Sequence, residues 1–195
     1  MKDIVITERP ESLSWEDIRS TLVEAHRNNI DRGLVVRSTT LSANQLQEQV
    51  GDGKCYVALD GEVLVGMLAV RPKPCDQWFC HGTVAHFLLG AVLPQYQGMG
   101  IYSRLEEHCY AFAKEQGISI ITLNTAANNV RMVKMLPEQG FCRAKLFHTS
   151  DTDHFSITWV KWLENAPSKA LCWAHYMTSA IMAKVYYRLK KCLNK

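Results

Sequence analysis

Apolar and polar positions along the chain follow two periods, and these predict an alternation of strands and helices. Apolar and β-branched runs predict strands at residues 3–7, 55–59, 62–70, 83–93, 118–123, 141–147 and 155–162. Apolar residues at helical spacing, preceded by capping side chains or glycines, predict helices at residues 15–28, 44–50, 99–116 and 130–139. This order predicts an α/β fold, a single domain with a mixed sheet of about seven strands and helices on both faces.

The clearest turn signal lies between two β-rich runs in the first half of the chain. Asp60-Gly61 joins these runs, and an Asp-Gly pair favours a two-residue turn in a β-hairpin. Pro72 and Pro74 come after the second run, and proline rarely occurs inside a sheet. We therefore expect the second strand to end there and to be followed by a loop, Cys75–Gly82.

A glycine-rich turn joins the apolar run that ends at Leu93 to the helix predicted from residue 99. Gly98 and Gly100 lie one residue apart where this helix would begin. Backbone N–H groups at a helix start point towards one place, and the helix dipole adds a positive field there. The turn therefore suits a phosphate or a pyrophosphate. Taken alone, the same glycines also fit a turn that needs only backbone freedom.

Composition narrows the class of protein. Of 195 residues, 47% are apolar and 21% are charged, as is usual for a globular chain in water. The seven cysteines include no C-x-x-C pair, and the start of the chain lacks the apolar region of a signal peptide, so we expect reduced thiols and a cytoplasmic location. The cysteines and histidines of residues 75–86 lack the paired spacing of zinc ligands, so no metal site is predicted.

Charge separates a mildly acidic body from a basic end. From Ser168 onward the chain has six Lys or Arg and no Asp or Glu, whereas the residues before it carry a net charge of −3. An acidic body does not favour nucleic-acid binding, so no nucleic-acid partner is predicted. We predict one domain over residues 1–165 and a basic amphipathic helical extension over residues 166–195.

Two motifs at a characteristic separation are the most specific features of the sequence. Val92–Tyr102 fits the pattern V-x-P-x-Y-[R/Q]-G-x-G-I-G in all but its last position, and Asn129–Phe141 follows the pattern N-x-x-A-x-x-x-Y-x-x-x-G-F in part. With the order of elements, they resemble the GNAT superfamily of acyl-CoA-dependent N-acyltransferases. The resemblance covers roughly residues 1–162 and implies direct transfer of an acetyl group from acetyl-CoA to a primary amine.

The resemblance also implies where acetyl-CoA binds. Amides of the glycine turn would hold the pyrophosphate, and free backbone groups of the preceding strand and of the facing Leu123–Thr125 would hold the pantetheine arm. An N–H group at Val92 or Leu93 would polarise the thioester carbonyl. The implied cofactor-binding residues are Val92, Leu93, Gln97, Gly98, Met99, Gly100, Ile101, Tyr102, Thr125 and Asn129.

The chain departs from the family pattern at two positions. The last small residue of the turn is Tyr102, and Leu136 occupies the position where many members keep a tyrosine as the acid for the leaving thiolate. Tyr102 is the predicted substitute for that acid. Tyr110, Cys109 or a water molecule are the alternatives that the sequence leaves open.

His86 is the predicted general base. An amine attacks a thioester only after it has lost a proton, and an imidazole titrates near neutral pH. His86 lies in the strand predicted at residues 83–93, fourteen residues before Gly100. Some family members place a catalytic carboxylate at about this position. The same residue also fits a structural histidine, and His81 and Asp76 are second choices.

The sequence does not identify the acceptor amine. A small-molecule amine is expected, with selection by residues 28–40, where Asp31 could pair with a cationic amine, and by the loop that carries Trp78 and Phe79. The alternative is that these segments only cover the core. The alternative function is a catalytically weak module that binds CoA or a partner, since the usual acid is missing and a basic helix is added. That helix could pack on its own domain, join a homodimer or lie on an acidic membrane surface.

Overall fold

The computed structural model describes residues 3–34, 36–148 and 154–193, and these form two compact units. The first unit comprises Met1–Cys75 and Gly82–Ser119, and the second comprises Asp76–His81 and Ile120–Lys195. Val35 and Lys195, which belong to segments discussed above, lie outside the described residues. Whether a domain boundary falls at residues 165 and 166 stays a prediction.

The elements occur in the predicted order. The elements that lie wholly or mostly in the first unit are β1 Ile4–Glu8, α1 Trp15–Ala25, α2 Arg27–Asp31, α3 Ala43–Val50, β2 Lys54–Asp60, β3 Val63–Gln77, β4 Cys80–Val92 and α4 Ile101–Glu115. Those of the second unit are β5 Ile120–Ala126, α5 Val130–Glu138, β6 Cys142–His148, β7 Phe155–Trp162 and α6 Lys169–Leu193. The described residues thus confirm a mixed α/β fold with a seven-stranded sheet and a C-terminal helix.

In the first unit the strand order is β1-β2-β3-β4. Strands β1 and β2 pair antiparallel, and so do β2 and β3. Asp60 pairs with Val63, so the two residues of the hairpin turn are Gly61 and Glu62, one position later than the Asp60-Gly61 pair suggests. Gly61 has φ +62°, the left-handed backbone that such a turn requires. The predicted two-residue hairpin is therefore confirmed.

The expected loop at residues 75–82 is wrong, because β3 continues through both prolines to Gln77 and β4 begins at Cys80. The pairing of β2 with β3 ends where Lys54 meets Val70. Beyond that pair, the edge of β3 that faced β2 has no ladder bonds for Pro72 or Pro74 to interrupt. The prolines are tolerated for that reason.

In the second unit the strand order is β5-β7-β6, and both pairings are antiparallel. Trp159 of β7 is completely buried and forms the centre of this unit. Helix α6 packs along β6, where the hydroxyl of Ser179 accepts a hydrogen bond from the backbone N–H of Leu146 at 2.9 Å. One face of the C-terminal helix therefore packs on its own unit.

Candidate functional site

The glycine turn has the open geometry that a phosphate requires. After β4 the chain forms a short 3₁₀ turn, Pro94–Tyr96, and then enters α4 at Ile101. Gly98 and Gly100 have φ +81° and +74°, and a Cβ atom at either position would meet no atom within 4 Å. These glycines are therefore present for their left-handed backbone, and the space beside both of them is empty of protein atoms.

The start of α4 presents backbone donors to this open space. Gly100 is the N-cap residue and supplies no side-chain cap, and the first helical hydrogen bond runs from Arg104 N–H to the carbonyl of Gly100. The amides before Arg104 precede that bond and point beyond the end of the helix. The helix is 15 residues long, so its dipole adds to the same field. A pyrophosphate fits this arrangement of donors.

Two side chains hold the glycine turn in place. Tyr96 is buried, and its hydroxyl donates to the Oδ2 of Asp60 in the β2–β3 hairpin at 2.7 Å. The side-chain amide of Gln97 donates to the carbonyl of Val92 at 3.0 Å. The turn is thus held to the hairpin on one side and to the end of β4 on the other.

Replacing Tyr96 by phenylalanine tests the first of these anchors. Tyr96→Phe keeps the buried ring but removes the hydroxyl that the Asp60 carboxylate accepts from, so we expect the free energy of unfolding to fall by about 1–2 kcal/mol. Chemical denaturation measures this. Tyr186→Phe, on the exposed face of α6, is the matched control and should leave stability unchanged. Equal effects of the two substitutions would contradict the assignment.

Strand β4 is irregular just before the turn. Leu89 has φ +57°, which is unusual for a residue with a side chain inside a strand. The Phe87 ring lies 5.4 Å from the Tyr110 ring, and a Cβ atom at Gly90 would lie 3.1 Å from Cε2 of Tyr102. A regular strand places residues three apart on opposite faces, yet Phe87 and Gly90 both face α4. The strand is therefore bulged at Leu89, and the missing side chain of Gly90 makes room for the Tyr102 ring.

The end of α1 is tied to this bulged strand by His26, which was not among the predicted site residues. Its Nε2 lies 3.3 Å from the carbonyl oxygen of Gly90, and its Nδ1 lies 3.1 Å from Nδ2 of Asn29. Because a carbonyl only accepts, Nε2 carries the proton and Nδ1 accepts from the Asn29 amide. Burial lowers the pKa of His26, which keeps this neutral tautomer. The only sign of this arrangement in the sequence is the H-x-x-N spacing of His26 and Asn29 at the end of a predicted helix.

The structure distinguishes between the two predicted donors to the thioester carbonyl. The N–H of Leu93 donates to the carbonyl of Val65 in β3 at 2.9 Å, so it is already engaged. Backbone N–H groups of successive strand residues point to opposite edges. The N–H of Val92 therefore points away from β3, and Val92 is the better candidate of the two.

His86 lies in β4 with its side chain half-buried. Burial, and then the positive charges of Lys73 and Arg71 in β3, lower the pKa of His86 to about 3. The imidazole is therefore neutral at physiological pH. The same low pKa makes it a weak base, which sequence reasoning could not anticipate because the two cations lie on another strand.

Three polar side chains form one line along α4. Glu106 is only 5% exposed and lies one helical turn from Tyr102 and one from Tyr110. Burial, followed by the negative charge of Glu106, raises the pKa of both tyrosines, so both hydroxyls stay protonated. Tyr102 can therefore donate a hydrogen bond, while its raised pKa makes it a weak acid. Sequence reasoning missed Glu106, although a carboxylate on the apolar face of a helix was a visible signal.

Cys109, another alternative for the acid that would protonate the leaving thiolate, is fully buried in α4. Burial raises the pKa of its thiol.

The second unit holds the remaining predicted site residues. Asn129 is the N-cap of α5, with its side chain accepting a hydrogen bond from Met132 N–H at 3.3 Å. The Thr125 hydroxyl accepts a hydrogen bond from Trp159 Nε1 at 2.8 Å. Leu136 is fully buried, so the position of the usual tyrosine is an apolar packing position here. Cofactor contacts of Thr125 and Asn129 stay predictions.

The aromatic residues expected to contact the acceptor pack within the second unit. The Trp78 ring stacks on His175 of α6 with ring centroids 4.2 Å apart, and its Nε1 donates to the Ala144 carbonyl. Phe79 is buried edge-on against Trp78. Because these aromatic faces already have partners, the structure favours the alternative that both residues cover a core. Asp31 is exposed at the end of α2.

Among the described residues, no three His, Cys, Asp or Glu side chains are grouped closely enough to hold a metal ion. His81 and Asp76 form an exposed pair, with 2.6 Å between Nδ1 and Oδ1. In the same part of the chain, every helix is too short or too polar to cross a membrane.

A bulged strand, a left-handed glycine turn and an uncapped helix start form an arrangement that suits a phosphate-bearing ligand at a helix N-terminus of an α/β protein. The model of the acetyltransferase (GNAT) family matches residues 15–141, and the chain belongs to that family. This confirms the family predicted from the Val92–Tyr102 and Asn129–Phe141 motifs.

Individual relatives agree with this assignment. The chain is 28% identical over 105 residues to N-alpha-acetyltransferase 30 of Schizosaccharomyces pombe, an alignment that covers 51% of this chain and 67% of that protein. It shares its fold with an acetyltransferase from Streptococcus agalactiae (TM-score 0.61, 21% identity, 84% of this chain and 100% of that one). It also shares it with a GNAT family acetyltransferase from Elizabethkingia anophelis with acetyl-CoA bound (TM-score 0.61, 15% identity, 84% and 100% of the two chains).

Proposed function

We propose that this chain is an N-acetyltransferase that moves an acetyl group from acetyl-CoA directly to a primary amine. Membership of the GNAT family supports acetyl transfer as the reaction class. The observation that carries the proposal is the open turn at Gly98 and Gly100, whose left-handed backbone aims the amides at the start of α4 into empty space. Such a turn suits the pyrophosphate of CoA.

In this proposal the donor lies along the end of β4 and the start of α4. When bound, acetyl-CoA supplies the acetyl thioester. The backbone of residues 97–102 would hold its pyrophosphate, and the outward N–H of Val92 would polarise the thioester carbonyl as negative charge develops there. Thr125 and Asn129 are also proposed to contact acetyl-CoA.

Proton transfer is proposed to use His86 and Tyr102. The amine must arrive with a free lone pair, and His86, neutral at physiological pH, would take its proton as the new bond forms. A base whose pKa is about 3 is weak, so the rate should follow the fraction of acceptor that is already deprotonated. The protonated Tyr102 hydroxyl would donate a hydrogen bond to the leaving sulfur.

We propose a small-molecule primary amine as the acceptor. The exposed carboxylate of Asp31, at the end of α2, supports a cationic substrate approaching from that segment. A second candidate acceptor is the α-amine of a peptide. The likeness to a protein named N-alpha-acetyltransferase 30 favours it.

Binding and turnover separate the proposal from its alternative. Thermal unfolding is followed with acetyl-CoA and with CoA, and thiol release is then measured over small amines and peptides with free N-termini. We expect both nucleotides to stabilise the chain and at least one amine class to release thiol. Stabilisation without thiol release would favour the catalytically weak CoA-binding module. The absence of stabilisation by either nucleotide would refute both functions.

His26 is expected to act as a positioning residue for this reaction. His26→Ala removes the donor to Gly90 beside Tyr102, so we expect kcat to fall about tenfold, or about 1.4 kcal/mol, with the affinity for acetyl-CoA unchanged. Steady-state kinetics and calorimetry measure the two effects. His26→Gln keeps a donor and should recover most of the rate, whereas His108→Ala, at an exposed position of α4, should have no effect. Failure of the glutamine variant to recover activity would refute the positioning role.

A further inference from the structure

Helix α6 exposes seven large apolar side chains among its described residues. Its inward face, which includes Cys172 and Ala180, is buried on the second unit. Trp173 is 65% exposed, Ile181 is 59% exposed and Met182 is 66% exposed. The exposed apolar residues of α6 are Leu171, Trp173, Met177, Ile181, Met182, Val185 and Tyr186. So many large apolar side chains on one helix face indicate an interaction surface.

These residues form a continuous surface. Trp173, Met177, Ile181 and Val185 follow one another at four-residue intervals, so they form a single stripe along the helix. Leu171 and Met182 extend this stripe sideways. The 25 residues of α6 give the helix a length of ~37 Å at 1.5 Å per residue. We call the surface formed by the seven exposed apolar residues the α6 apolar face.

Positive charge borders the α6 apolar face towards its C-terminal end. Lys184 and Arg188 are exposed and lie three helical turns after Trp173 and Met177, on the same line of the helix. The chain has six Lys or Arg from Ser168 onward and no Asp or Glu there. The surface therefore combines apolar area with positive charge, without a carboxylate to neutralise it.

We propose that the α6 apolar face binds the surface of an anionic lipid bilayer, with the helix lying in the plane of the interface. The apolar stripe would enter the boundary between headgroups and acyl chains, while Lys184 and Arg188 would extend to lipid phosphates. Trp173 and Tyr186, near the two ends of the face, are the residue types that prefer this interface. The proposal goes beyond acetyl transfer and uses no residue of the glycine turn.

Charge favours a lipid surface over a second copy of the chain. In a symmetric dimer the same face occurs on both sides, so Lys184 and Arg188 would meet a surface that also carries cations. The residues from Ser168 onward offer no carboxylate to pair with them. An anionic bilayer supplies the opposite charge and the apolar layer together.

Vesicle flotation with the full chain tests the proposal. We expect the chain to float with vesicles of phosphatidylglycerol and phosphatidylcholine in equal parts, to float little with phosphatidylcholine alone, and to be released by salt. Lys184→Glu combined with Arg188→Glu should weaken binding at least tenfold, since each cation near such a surface contributes about 1 kcal/mol. Ile181→Glu should also weaken it about tenfold, because it places a charge in the apolar stripe.

Matched variants keep this test specific. Lys114→Glu on α4 and Val63→Glu at the start of β3 change exposed residues of the same types elsewhere and should bind vesicles like the parent chain. Circular dichroism should show the same unfolding for all four variants, since their side chains are exposed. Equal flotation with both vesicle types, or with neither, would overturn the proposal. So would a dimer, detected by light scattering, that Ile181→Glu converts to a monomer.

Discussion

Gly98→Asp and Gly100→Asp are each expected to weaken acetyl-CoA binding by about a hundredfold, which corresponds to about 2.7 kcal/mol. Each substitution places a carboxylate in the empty space beside the turn, where the pyrophosphate is proposed to lie. Two anions would then compete for the same amides and the same helix dipole. Aspartate is the informative choice because it tolerates a left-handed backbone better than most residues. Calorimetry with acetyl-CoA measures the effect.

The opposite end of the same helix supplies the control. Gly117, just beyond the last turn of α4, has φ +66° and also has open space around a Cβ position. Gly117→Asp therefore introduces the same side chain on a similar backbone, away from the proposed ligand. We expect its binding of acetyl-CoA to match that of the parent chain. Comparable losses in all three variants would mean that the glycines serve backbone geometry alone.

His86 is expected to make the fold acid-labile over a defined pH range. The pKa of His86 is about 3 in the folded chain and near 6.5 when unfolded, so between these values the unfolded chain binds a proton that the folded chain does not. The free energy of unfolding should therefore fall as the pH is lowered from about 6.5, by at most about 1.4 kcal/mol per pH unit. Above that range His86 contributes no pH dependence.

A neutral side chain at this position should remove that component. His86→Gln cannot be protonated, so its free energy of unfolding should fall less steeply than that of the parent chain between about pH 6 and pH 4. Denaturation at several pH values gives these slopes. Identical slopes for the two proteins would show that His86 is accessible to protons in the folded state.

The same variant tests the proposed base. If His86 takes the proton of the amine, His86→Gln should lower kcat at every pH, and the rise of activity with pH should persist because it reports the acceptor's own ionisation. Unchanged turnover across the whole pH range would instead leave His86 with a structural role. The stability and kinetic experiments therefore answer separate questions about one residue.

Features that depend on neighbouring residues could be predicted from the sequence. Ser14 is the N-cap of α1 and Asn129 is the N-cap of α5. Both are local features, because an N-cap side chain bonds to backbone amides only a few residues away. The β2–β3 hairpin is equally local, although its turn lies one residue later than expected. The glycine turn was visible for the same reason, since its two left-handed positions lie within one short segment.

Features that depend on distant residues could not be predicted. β3 passes through Pro72 because pairing with β2 has already ended at Val70, and the register fixes that point. The contact of His26 with Gly90 joins residues 64 positions apart. The bulge at Leu89 has no signal in an apolar run. In each case the cause is a tertiary neighbour, which a reading of local pattern does not contain.

The burial of Leu136 limits where a tyrosine acid could be engineered into this protein. A tyrosine placed there would have to fit into a core position with no exposed surface, and overpacking of that kind typically costs about 1–3 kcal/mol. Pro137 follows at once in the last turn of α5 and restricts how the backbone could yield. Leu136→Tyr alone would therefore weaken the fold before it supplied a proton, so an engineered acid would need another position.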